Sequence, residues 1–171
     1  LPLATGALLL MFDDRQRAAK AFISLTSTLL LLMVAILLVM RANAEPGAST
    51  IAGSYVLGDW PVPFGIVLVA DRLSAMMVAL TSFLGACALL FALARWDRAG
   101  PRFHAQFLFL DMGVNGAFLT GDLFNLFVFC EIMLAASYGL ALHGSGEARI
   151  RAGLAYIAVN LTASFLFLIG A

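Results

Sequence analysis

The chain has 171 residues, of which 63% are hydrophobic and only 12% charged. A water-soluble domain carries about twice that share of charge, which excludes a soluble fold. A net charge of zero gives no pull toward nucleic acid or another polyanion.

Short charged clusters separate apolar runs of about 17–22 residues, the span of a bilayer core. The expected fold class is therefore all-α, a polytopic transmembrane helix bundle. In chain order, a partial helix is predicted at 1–12, followed by full spans at 21–40, 72–94, 103–120, 122–142 and 152–170. Proline falls in the connections and at Pro2, so no span is broken by one. The chain starts at Leu1 inside an apolar run and stops at Ala171 with a helix pattern still running. It thus reads as the N-terminal part of a larger protein. No basic region or small-residue cleavage site brackets the first apolar stretch, so it lacks a signal-peptide layout.

Connection 41–71 is the one long loop. Its segment from Tyr55 to Gly65 mixes turn residues with aromatics, which suits a turn or short hairpin at the membrane surface, with Tyr55 and Trp60 at headgroup level. Loops 13–20, 95–102 and 143–151 carry eight of the ten basic residues, and Arg41 and Arg72 lie on the other side. The positive-inside rule makes those three loops cytoplasmic. The N-terminus, loop 41–71 and the turn at Thr120-Gly121-Asp122 then face outward. Cys87 and Cys130 lack any metal or disulfide spacing and read as buried small hydrophobes. No metal or cofactor is expected.

Glu131 is the only charged residue between Asp122 and His143. An acid in the middle of a span costs roughly 2.5–3.5 kcal/mol on insertion scales. Such residues face a protein interior or a wet cavity and mark function, so Glu131 is the first candidate site, a proton carrier. On its helix face lie Phe124, Phe127, Val128, Leu134, Ala135 and Tyr138, and the Tyr138 hydroxyl is a candidate path lining. Asp122 is nine residues away on the opposite face and reads as the helix N-cap.

The preceding span holds a second buried acid, Asp111, on a face with His104 and Asn115. Asp111 and Glu131 are equally far from Gly121, so both sit about 15 Å below the outer turn. If they face each other, they share a proton and titrate as a unit. Otherwise Asp111 is hydrogen-bonded to a neighbouring helix. The last span carries Gly153, Tyr156, Asn160 and Ser164 on one face. This stripe is either interhelical glue or, at Asn160 and Ser164, the lining of a hydrated path near Glu131. Gly113 and Gly116 read as packing residues. The single lysine, Lys20, lies at a helix end, so no embedded lysine pairs with Glu131.

The run Asn115-Gly-Ala-Phe-Leu-Thr-Gly-Asp-Leu-Phe-Asn-Leu-Phe-Val-Phe-Cys-Glu131-Ile-Met-Leu-Ala-Ala-Ser-Tyr-Gly-Leu140 resembles the D subunit of the multisubunit Mrp-type (Pha or Mnh) monovalent cation/proton antiporters. So do Leu57-Gly-Asp-Trp-Pro-Val-Pro-Phe-Gly-Ile66, Val69-Ala-Asp-Arg-Leu-Ser-Ala75, His143-Gly-Ser-Gly146 and Tyr156-Ile-Ala-Val-Asn-Leu161. The resemblance implies about fourteen helices with two inverted five-helix repeats. Six of them would lie here, with residues 1–102 holding the leading three and 103–171 starting the first repeat. Glu131 matches the family's mid-membrane glutamate, and the family's essential lysine would lie beyond Ala171. Cys130 stands where a second Phe is expected, and Asp111 matches no family motif.

The implied partners are protons, Na⁺ or another monovalent cation, other membrane subunits of a hetero-oligomeric complex, and the lipid bilayer. The implied location is the bacterial cytoplasmic membrane. A different class is also open, a proton-pumping subunit of an NADH:quinone oxidoreductase or membrane hydrogenase, without a redox site of its own. A purely structural membrane scaffold is third, and Glu131 argues against it.

Overall fold

A computed structural model describes residues 1–13, 16–44, 51–56, 65–94, 96–99, 102–144 and 146–170. The described residues form six α-helices: α1 (Pro2–Leu10), α2 (Arg17–Ala44), α3 (Arg72–Leu93), α4 (Phe103–Leu119), α5 (Leu123–Ala141) and α6 (Glu147–Gly170). Each expected span is found, with α2 running further outward and α6 starting earlier than predicted. The helices α2, α3, α5 and α6 are long and apolar enough to cross a membrane. With 17 residues, α4 measures about 26 Å at 1.5 Å per residue, at the lower limit for a span.

Two of the helix starts are set by aspartate caps. Asp122 accepts a hydrogen bond from the Asn125 backbone N–H at 3.1 Å, as its sequence position implies. Asp71 and Ser74 cap α3 reciprocally: the Ser74 N–H donates to Asp71 Oδ1 at 2.6 Å, and the Asp71 N–H donates to Ser74 Oγ at 2.8 Å. Both arrangements use up helix-terminal N–H groups that lipid could not satisfy.

At the centre is α4, which packs against α1, α2, α3 and α5. Small residues make this possible. A Cβ added to Gly113 would stand 2.7 Å from the Met133 backbone nitrogen, and one added to Gly116 would enter the Phe129 ring. Toward the N-terminal end of α4, Leu89, Ala92, Phe103 and Phe107 form a buried cluster, with Leu25 and Leu140 against it. A second cluster joins Leu9 of α1 to Ala105 and Leu108 of α4. By contrast α6 packs on α5 and is exposed along most of its length.

Ahead of α3, β1 (Ile51–Val56) and β2 (Val67–Asp71) pair antiparallel. The hairpin expected in loop 41–71 is therefore present, although its strands flank the aromatic segment. Tyr55 is exposed, and Trp60 lies outside the described residues. The Gly121 N–H donates to the Val67 carbonyl at 2.9 Å, which joins the hairpin to the α4–α5 turn. At the other end, His143 Nε2 lies 3.1 Å from the Trp96 carbonyl oxygen, and the Arg149 guanidinium stacks over the Trp96 ring and donates to the His143 carbonyl.

One sequence expectation fails here. Cys87 is exposed and Cys130 half-buried, both free thiols, so the pair are not buried small hydrophobes. Outside a membrane helix the solvent is itself apolar, so a small apolar residue needs no protein cover.

Candidate functional site

The contacts between helices fix which way each acid points. Across the antiparallel α4–α5 pair, Gly113 faces Met133, Gly116 faces Phe129, and Gly139 faces Gln106. Glu131 is two residues from both Phe129 and Met133, about 200° round the helix from each. It therefore points away from α4. Asp111 is two residues from Gly113 and points away from α5 by the same rotation.

Glu131 points instead toward α6. It lines a cavity of about 250 Å³ with Leu126, Phe127, Cys130 and Leu134 of α5 and Asn160, Ala163, Ser164 and Phe167 of α6. Two aromatic contacts bracket this space and fix the α5–α6 register. Phe127 stacks on Phe167 with centroids 6.2 Å apart, and Tyr138 meets Tyr156 edge-on at 5.5 Å. The eleven residues from Phe127 to Tyr138 place the two contacts about 16 Å apart along α5.

Inside the cavity, Glu131 Oε1 is buried with no hydrogen-bond partner among the described residues. Asn160 commits its amide N–H to the Tyr156 carbonyl of its own helix at 2.9 Å. No basic side chain lines the space. A carboxyl oxygen in such a cavity can take up a proton or accept a bond from water or an incoming cationic group, because burying it unpaired is costly.

Of the candidate residues read from the sequence, Glu131 and Asn160 are thus brought together, along with Ser164. The α6 stripe divides: Gly153 lies against Leu142 and Tyr156 against Tyr138, while Asn160 and Ser164 face the cavity. Tyr138 closes the contact at the C-terminal end of α5 and does not line the space.

The Asp111–Glu131 proton pair is not formed. The Asp111 carboxylate lies against α3, where a Cβ on Gly85 would stand 2.9 Å from Oδ1. Equal depth left the facing open, and helix rotation sends the two acids to opposite sides of the α4–α5 contact. Nor is Asp111 Oδ2 hydrogen-bonded to a neighbouring helix among the described residues. Gly85 beside this acid, and Ser82 three residues before it on α3, carried no expectation from the sequence; the available signal is a small residue and a hydroxyl three apart on one helix face.

No protein-family model matches the chain. It is 57% identical over 170 residues to a Rhizobium meliloti protein named as the D subunit of a probable K(+)/H(+) antiporter. It is also 41% identical over 172 residues to the D subunit of the Na(+)/H(+) antiporter of Alkalihalophilus pseudofirmus. Each alignment covers 99% of this chain. The chain is homologous to antiporter D subunits. It spans about a third of the length of the D subunits it matches, 32% and 34%. Among solved structures, it superposes on a chain of the Mrp complex from Dietzia sp. with a TM-score of 0.84 and 32% identity, covering 99% of this chain and 31% of that one. It also matches the membrane-bound sulfane sulfur reductase, an archaeal respiratory membrane complex, with a TM-score of 0.75 and 26% identity, covering 99% and 34%. The resemblance to D subunits seen in the sequence motifs thus holds, and the fold is that of a membrane subunit of these complexes.

Proposed function

We propose that this chain forms part of a monovalent cation/proton antiporter subunit in which Glu131 takes up and releases the transported proton. The observation that supports this most is the Glu131 oxygen buried without a partner, among the described residues, in a cavity whose other polar residues are Asn160 and Ser164. An unpartnered carboxyl oxygen there is unfavourable, and accepting a proton or a hydrogen bond offsets the burial. Release requires a positive group brought near the carboxylate, and that group is expected from the rest of the full-length subunit or from a neighbouring subunit. Coupling to Na⁺ or K⁺ would then follow from alternation of this charge pairing in a complex of several membrane subunits. The complex would sit in the bacterial cytoplasmic membrane, with loops 13–20, 95–102 and 143–151 inside.

In everted membrane vesicles carrying the full-length complex, Glu131→Gln should abolish cation-dependent proton exchange while the subunits still co-purify. Wild-type exchange by that variant would refute the assignment. The likeness to a respiratory membrane complex supports a second reading, a proton-pumping subunit powered by electron transfer. Purification with the native partners separates the two, since iron–sulfur or quinone-site subunits would co-purify only in the second case.

A further inference from the structure

On the side of α4 away from Glu131 lie two buried polar side chains with no role in the cavity. Asp111 is 8% exposed and Ser82 fully buried. The Asp111 carboxylate occupies the space a side chain at Gly85 would fill, with a Cβ there 2.9 Å from Oδ1 and 3.3 Å from Oδ2. Ser82 is three residues from Gly85 and shares its helix face. Neither Asp111 Oδ2 nor Ser82 Oγ has a hydrogen-bond partner among the described residues. Leaving such groups unpaired in a buried place is unfavourable, and more so for an ionised one.

The neighbouring polar groups are already committed. The Thr81 hydroxyl donates to Asn115 Oδ1 at 2.7 Å, and the Asn115 amide donates to the Asp111 backbone carbonyl at 2.8 Å. Seven residues below Asp111 on the same face of α4, His104 is buried, with Nδ1 2.9 Å from Ser24 Oγ of α2. Lys20, one turn below Ser24, is buried too. Buried polar groups therefore lie at two levels on this face of α4, Asp111 at one and His104 with Ser24 and Lys20 at the other, with Leu108 buried between them.

We propose that Asp111 and Ser82 form a second proton-binding site, separate from the Glu131 cavity. The carboxylate gains one O–H bond on taking up a proton. The neutral acid then donates toward Ser82, directly or through one water molecule, which satisfies both orphaned oxygens. The elements around Asp111 present few other charges. His104 lies about 10 Å down α4, α3 carries only Arg72 at its far end, α2 carries Arg17, Lys20 and Arg41 near its ends, α1 has no ionisable side chain, and Glu131 faces the opposite way.

The test is an infrared pH titration of the carboxyl C=O stretch in the full-length complex, comparing wild type with Asp111→Asn, Glu131→Gln, Ser82→Ala and Gly85→Ala. The expected result is loss of one carboxyl band in Asp111→Asn, distinct from the band lost in Glu131→Gln. Ser82→Ala and Gly85→Ala should shift the Asp111 band and leave the Glu131 band in place. Loss of no band in Asp111→Asn, or loss of the same band as in Glu131→Gln, overturns the proposal. If Asp111→Asn fails to assemble, an unshifted carboxyl spectrum in Ser82→Ala overturns it equally. Failure here leaves the Glu131 reading standing, since that rests on transport by Glu131→Gln.

Discussion

At the scale of single residues, the acids divide into those that serve the ends of helices and those held inside. Asp71 belongs to the first group. The Ser74 backbone N–H, helped by the Ser74 hydroxyl, holds its carboxyl below the ordinary value of 3.8. A lowered folded-state value means that the cap stabilises above the ordinary aspartate range and that this contribution is lost as the pH falls and Asp71 protonates. Asp71→Ala should therefore cost about 1 kcal/mol at neutral pH, with the gap to wild type closing below pH 3.8. Thermal unfolding of the detergent-solubilised protein at both pH values checks this, and a gap independent of pH would contradict it. Glu131 and Asp111 belong to the second group. Each has a buried carboxyl oxygen with no hydrogen-bond partner among the described residues, and neither serves as a cap.

At the scale of elements, the α4–α5 pair sets the geometry of both acids. Its close approach rests on glycine, because the Met133 backbone that faces Gly113 cannot move aside as a flexible side chain could. Gly113→Ala should destabilise the protein by about 1–3 kcal/mol. Gly53→Ala in the outer hairpin, where nothing lies within 4 Å of the added carbon, should stay within about 0.5 kcal/mol of wild type. Unfolding midpoints of the two variants give the comparison, and equal losses would count against glycine-mediated packing. The helices themselves were legible beforehand, since each apolar run has a length set by the bilayer. So was the Asp122 cap, a short acid just ahead of such a run. Their rotations were not legible. A helix that is apolar all round has no amphipathic stripe to mark its inner face, and lipid accepts apolar side chains as readily as a protein interior does.

At the scale of the whole molecule, the buried core lies around α4, and α6 stands at its edge with one side against α5. The positive-inside rule applied to the basic loops predicts one orientation for this bundle. With Cys87 and Cys130 replaced by Ala, Ser54→Cys should react with a membrane-impermeant maleimide in intact cells, and Glu147→Cys only after permeabilisation. The reverse labelling pattern would invert the topology. Both positions are exposed, so access to the reagent depends on the side of the membrane alone.

By itself the sequence determined the membrane class, the helix order and the two acids that fall inside apolar spans, because each follows from transfer free energies summed along the chain. It also carried the motifs shared with antiporter D subunits. Only the tertiary structure decided that Glu131 shares a cavity with Asn160 and Ser164, that Tyr138 closes one end of that contact, and that Asp111 turns to Gly85. Those outcomes depend on interhelical contacts at Gly113, Gly116 and Gly139, and hydropathy carries no information about rotation when both sides of a helix are apolar.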